Sequence, residues 1–113
     1  MHELEITHNI LSLALSEAHK EKAKKISKID LVVGQMSGIE PDCVSFFFDF
    51  ISKDTIAQGA ILQYQLVETK VICQTCGYEF SLKEEDWSCP NCRSSKFTII
   101  SGKELYIESI EVD

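Results

Sequence analysis

A pair of cysteine knuckles constrains this chain more than any other feature. Cys73-Gln74-Thr75-Cys76-Gly77 and Cys89-Pro90-Asn91-Cys92 are C-x-x-C units separated by the twelve residues 77–88. Each unit offers two thiols about one turn apart. Four thiolates close a tetrahedral shell with no open position, which is the arrangement structural zinc prefers. The surrounding segment is rich in turn residues and poor in apolar ones. It cannot bury enough surface to fold unaided, so metal binding would supply its folding energy. Gly77 and Pro90 suit the tight turns of the knuckles. Iron in a rubredoxin-like site uses the same spacing, and ligand softness does not separate the two metals. Disulfides would need an oxidising compartment, for which the sequence gives no sign. A catalytic zinc would leave one position open, and here no cysteine is missing from the shell.

Composition narrows the function classes. With 113 residues, the chain is long enough for one domain, or one domain carrying a small lobe. Eleven Lys+Arg against 18 Asp+Glu give a net charge of −7, which argues against a phosphate-binding surface. Zinc ribbons often serve nucleic-acid proteins. Here the stretch between the knuckles holds Glu79, Glu84, Glu85 and Asp86 against Lys83 alone, and would repel phosphate. No run approaches the ~20 apolar residues of a membrane span. The opening Met-His-Glu-Leu-Glu has acid where a signal peptide has base. The expectation is a cytoplasmic protein with neither nucleic acid nor membrane as partner. There is no Gly-rich phosphate loop and no recognisable nucleophile–base pair, so no enzyme is expected.

Along the chain, residues 3–25 have helical periodicity. Leu4, Thr7, Leu11, Ala14, Leu15 and Ala18 form one stripe, and Ile6, Ile10 and Leu13 a second. Such a helix either packs on two neighbours or has a core face plus a partner face. Residues 28–34 alternate as a strand, and Gly34 and Gly38 punctuate a loop. Pro41 suits the first turn of a second helix, 41–53, in which Val44, Phe47, Phe48 and Ile51 recur at helical spacing beside Phe46 and Phe50. That helix is expected to be strongly buried, and Cys43 on it to be a buried, inert thiol. Further strands are expected at 60–68, at 97–100 and, after a turn at 101–103, at 104–112. The last should return to the sheet that the helices cover.

His2 has two readings. A histidine at position 2 is ordinarily an exposed residue, and Glu3 and Glu5 are ordinary acids for a first helical turn. Yet the α-amine, the amide nitrogen of residue 2 and the His2 imidazole can chelate one ion through adjacent rings. The Glu3 amide would add a fourth nitrogen. Such donors favour square-planar Ni(II) or Cu(II).

Several motifs now combine. Met1-His2-Glu3 opens the chain, Gly34-Gln35-Met36-Ser37-Gly38-Ile39-Glu40-Pro41 leads into the Phe-rich helix, and the two knuckles follow. Together they resemble the HypA/HybF hydrogenase nickel-incorporation proteins over essentially all 113 residues. The resemblance implies an α+β fold: two helices on a small three-stranded mixed sheet, with an inserted four-cysteine zinc-ribbon-like lobe. The corresponding division is a nickel-binding domain over 1–68, completed by a strand at about 104–113, and a zinc lobe over 69–103. It implies a metallochaperone that carries Ni(II) as transient cargo at Met1, His2 and Glu3. Structural Zn(II) would sit on Cys73, Cys76, Cys89 and Cys92. The implied partners are a HypB-type GTPase and the large-subunit precursor of a nickel-iron hydrogenase, with urease maturation proteins in some bacteria. The competing function is a zinc-ribbon interaction or regulatory module with no mobile metal. It shares the cysteines and needs no particular N-terminus.

Overall fold

A computed structural model describes residues 2–82 and 87–113. The elements run α1 (Glu3–Lys20), β1 (Ile26–Gly34), α2 (Pro41–Ile51), β2 (Ile61–Val67), β3 (Lys70–Cys73), β4 (Glu79–Ser81), β5 (Phe97–Ser101) and β6 (Leu105–Val112). The β-branched and apolar run of β1 makes it the centre of a mixed sheet, ordered β2–β1–β6. It pairs in parallel with β2 and antiparallel with β6. A parallel pair needs a crossover, and α2 supplies it. Ile29, Leu31 and Val33 of β1 join Leu11, Ala14 and Ala18 of α1 and Val44 and Phe48 of α2 in one core. Tyr64 of β2 fixes the start of α2, donating to the Pro41 carbonyl at 3.0 Å and sharing a 2.7 Å hydrogen bond with the Ser45 hydroxyl.

The expected α+β architecture is present, with differences that have physical causes. α1 ends at Lys20, five residues before the end of the helical pattern. There the Ala23 amide donates to the Ala18 carbonyl and the Lys22 amide to the His19 carbonyl, while Lys22 takes φ 55°. This is a Schellman stop in which lysine fills the left-handed place that glycine usually takes. On the second stripe of α1, Ile10 is buried in the core and Ile6 packs against it, while only Leu13 is exposed. That stripe is therefore mainly a second packing face, which answers the question of two neighbours against a partner face. α2 is less buried than expected. It seats Val44 and Phe48 in the core, but Phe46 and Phe50 are 71% and 70% exposed. Cys43 is likewise exposed, contrary to the buried thiol expected there.

The cysteine region has a sheet of its own. β3 is flanked by β4 and β5, both antiparallel to it. The two closing strands, β5 and β6, do not pair with each other, and the turn at 101–103 carries the chain from one sheet to the other. The result is elongated, 55 × 25 × 17 Å.

A tight backbone junction joins the two sheets. The Gly34 amide donates to the Glu104 carbonyl at 2.7 Å, the Gln35 amide to the Val67 carbonyl at 2.9 Å, and the Met36 amide to the Gly102 carbonyl at 2.6 Å. The Gln35 side chain accepts from the Thr69 amide at 3.0 Å. A Cβ on Gly34 would lie 2.1 Å from the Gly102 carbonyl oxygen.

Two stability predictions follow from these backbone features. Gly34→Ala should cost about 3 kcal/mol or more in urea unfolding, because backbone on both sides must move. Gly38→Ala is the control: its added methyl meets open space at φ +78°, so only the left-handed backbone is penalised. That loss should be about 1 kcal/mol. Lys22→Gly should stabilise by roughly 0.5–1 kcal/mol, the left-handed cost removed less the added freedom of the unfolded chain.

Candidate metal centres

The knuckles are built alike. In the first, the Gly77 amide donates to the Cys73 carbonyl at 2.9 Å and the Cys73 amide to the Tyr78 carbonyl at 2.9 Å. In the second, the Arg93 amide donates to the Cys89 carbonyl at 2.7 Å and the Cys89 amide to the Ser94 carbonyl at 2.8 Å. The residue after each second cysteine is left-handed: Gly77 at φ 77° and Arg93 at φ 65°. Glycine announces that turn in the first knuckle. Arginine conceals it in the second.

The turns bring all four sulfurs within 4.8 Å of one another. Cys73 Sγ lies 3.5 Å from Cys92 Sγ, and Cys76 Sγ lies 3.6 Å from Cys89 Sγ. A tetrahedron with metal–sulfur bonds of 2.3 Å has edges of about 3.8 Å, so this sulfur cage fits a zinc-sized ion. Cys73 and Cys89 are buried, while Cys76 and Cys92 face outward. Among the described residues this is the sole group of three or more His, Cys, Asp or Glu poised for a metal; His2 and Glu3 are not part of it.

Electrostatics point the same way. Cys73 is lowered to about 6, first by the Cys76 amide and then, against burial, by the Thr75 amide and neighbouring thiols. The Asn91 side-chain amide, 3.5 Å from Cys76 Sγ, is the main group lowering Cys76, followed by the Tyr78 amide. The Ser94 amide favours the Cys92 thiolate, yet burial and the three other sulfurs push Cys92 up to about 12. Amides aimed at sulfur favour thiolate, but crowded thiolates cannot all ionise without a cation between them.

The rest of the lobe cannot substitute for a metal. Among its described residues, Val71, Cys73 and Cys89 are the buried hydrophobic ones. Phe80 meets Phe97 edge-on at 6.4 Å and Trp87 lies 6.3 Å from Phe97, but Trp87 remains 53% exposed. The Gln74 amide donates to the Lys96 carbonyl at 2.9 Å, tying the first knuckle to the entry of β5.

His2 is the exposed N-cap of α1 and makes no side-chain cap. The helical ladder begins with the Ile6 amide donating to the His2 carbonyl at 2.9 Å. The helix therefore draws on no amide ahead of Ile6. Glu3 is half-buried, and its carbonyl accepts from the buried Thr7 hydroxyl. Its carboxyl is held below the ordinary carboxylate range, first by the N-terminal amine, then by its own amide against slight desolvation, and last by the Glu40 amide. Glu40 precedes α2, so the 34–41 loop reaches the start of α1. Met1 lies outside the described residues, as do Glu84, Glu85 and Asp86 of the acidic segment between the knuckles.

These features define a small α+β metal-binding protein with a closed four-thiolate site. A family model described as "Hydrogenase/urease nickel incorporation, metallochaperone, hypA" matches residues 1–112. The chain is 41% identical to the hydrogenase maturation factor HypA of Dehalococcoides mccartyi, over all of this chain and 95% of that one. It is 40% identical to the HypA of Caldanaerobacter subterraneus subsp. tengcongensis, over the full length of both. The solution structure of the Ni metallochaperone HypA from Helicobacter pylori shares the fold, with a TM-score of 0.68 at 24% identity over 99% of this chain and 97% of that one. A second HypA solution structure has a TM-score of 0.72 at 24% identity, over 99% of this chain and 96% of that one. The chain belongs to the HypA family of nickel-incorporation metallochaperones, hydrogenase maturation factors rather than enzymes.

The sulfur cage generates a pH prediction. Because Cys92 keeps its proton far above neutrality, Zn(II) binding to the reduced apo chain at neutral pH should release at least one proton per site. Calorimetry in buffers of different ionisation enthalpy measures this. Cys73 is thiolate above about 6, so zinc affinity should fall steeply as acid takes the pH down through that value.

Proposed function

We propose that this chain is a nickel metallochaperone that carries Ni(II) at Met1, His2 and Glu3. It delivers the ion to the large-subunit precursor of a nickel-iron hydrogenase, acting with a HypB-type GTPase in the cytoplasm. In organisms with urease, the same delivery extends to its maturation proteins. The observation that carries this reading is the match of residues 1–112 to a nickel-incorporation family. Exposure of His2 ahead of the helical ladder supports it.

Zn(II) on Cys73, Cys76, Cys89 and Cys92 is the structural ion. The chain divides accordingly into a nickel-binding unit, 1–68 with about 104–113, and a zinc-binding unit, 69–103. Among the described residues the two sheets share no strand, which supports that division.

The chemistry of delivery follows from the location of the donors. A carrier must capture its cargo and then give it up. Donors at a chain end can be replaced one at a time by those of a recipient, because the first helical turn frays readily. Amide and imidazole nitrogens bind nickel only without their protons, so acid favours release. A closed thiolate shell offers an incoming ligand no open position, which keeps the structural ion out of the transfer.

Calorimetric titration of the untagged chain with Ni(II) tests the assignment. One nickel per chain should bind. His2→Ala, or any residue placed before Met1, should abolish that binding while zinc content stays at one per chain. Nickel affinity indifferent to both changes would remove the N-terminal site.

A further inference from the structure

We infer that the groove between α1 and β6 docks a basic, amphipathic helix of a partner protein. The groove encloses about 710 Å³. Ala14, Ile107, Ile110 and Val112, which belong to or pack against the core, line it together with the exposed Leu13 and Leu105. Leu13 is 59% and Leu105 36% exposed, large apolar groups that this chain leaves uncovered. A cleft of this kind, apolar beneath and rimmed by polar groups, marks an interaction site more often than bare surface does.

The rim identifies the occupant. Its charged residues are Glu17, Glu21 and Glu108, and among the described residues no Lys or Arg lines the groove. Glu17 is already paired with Lys20 at 3.3 Å, on an exposed surface. Among the described residues neither Glu21 nor Glu108 has an ion-pair partner. Lysine or arginine on the incoming segment would complement these carboxylates, and a second copy of this acidic chain would bring more of the same charge.

The strand edge favours a helix over an added strand. β6 lies at the edge of its sheet, but its register with β1 jumps from Asp30↔Ser109 to Leu31↔Ile107. That leaves Glu108 as a bulge. A bulge bearing a charge breaks the ladder an added strand would need. A helix needs only the apolar floor, seating side chains at i, i+3, i+4 and i+7.

The groove also leaves the start of α1 open. Leu13 is eleven residues beyond His2, roughly 16 Å along the helix at 1.5 Å per residue. His2 is not among the residues that line the groove. The inference does not rest on the nickel reading, and its test contains no metal.

The test is an NMR titration of the full-length, isotope-labelled chain with a designed Leu/Lys amphipathic helix, and with its Leu/Glu counterpart. The Leu/Lys peptide should give saturable shifts centred on Leu13, Glu21, Leu105 and Glu108, and the Leu/Glu peptide none. Affinity should drop at least tenfold in Leu13→Asp and in the double variant Glu21→Lys, Glu108→Lys. These positions are exposed, and an otherwise unchanged spectrum confirms that the fold is intact. The inference is overturned if the shifts lie elsewhere on the acidic surface, if both peptides bind alike, or if the variants bind as well as the parent. Concentration-dependent shifts in the same groove without peptide would also overturn it, by identifying a second copy as the occupant.

Discussion

Gathering four sulfurs into a space smaller than 5 Å is the constraint from which the distal half of this molecule follows. Thiolates at that spacing repel strongly, and the chain sets them against one another. One amide-rich position, Cys73, ionises early; another, Cys92, holds its proton against three neighbours. A cation among them lets all four ionise together. The lobe has little else to hold it, since Val71 is its one fully buried aliphatic residue among those described. Its short strands, β3 to β5, are therefore best regarded as connections between metal ligands. A closed shell of four thiolates would offer an incoming ligand no open position.

The α+β body obeys different physics. Its core is ordinary aliphatic and aromatic packing around β1. The two regimes meet where Gly34, Gln35 and Met36 bond to the chain segments entering and leaving the lobe. Missing side chains at Gly34 and Gly102 let backbone approach backbone there. Gly102 is itself tight, since a Cβ on it would fall 2.7 Å from the Thr69 hydroxyl. The loop that begins at this junction ends at Glu40, whose amide favours the Glu3 carboxylate. One short segment thus touches both the base of the sulfur lobe and the start of α1.

Legibility in the sequence tracked how local each signal was. The knuckles, Pro41 at a helix start and the alternation of β1 are local and stand out directly. The stop of α1 does not, because Lys22 adopts a conformation that only glycine would have advertised, and Arg93 hides the second knuckle turn in the same way. Hydrophobicity overstated the burial of α2: Phe46 and Phe50 are as apolar as Phe48 but lie off the face that meets the core. Strands β3 and β4, four and three residues long, are too short to show a period. The separation of β5 from β6 depends on long-range pairing that a turn signal cannot reveal. His2 is a special case: its chelating potential is plain chemistry, yet nothing in composition or periodicity marks it. Its neighbouring α-amine and amide nitrogens permit a chelate, and the resemblance carried by Met1-His2-Glu3, the 34–41 loop and the knuckles together selects nickel.

The central claim is that one chain keeps two metals in chemically separate places, sulfur for shape and nitrogen for cargo. X-ray absorption at the nickel and zinc edges of the native-terminus protein, loaded with both ions, tests it most directly. The account predicts zinc surrounded by four sulfurs at about 2.3 Å, and nickel surrounded by nitrogen and oxygen with no sulfur neighbour. Sulfur in the nickel shell, or nitrogen displacing sulfur around zinc, would contradict it.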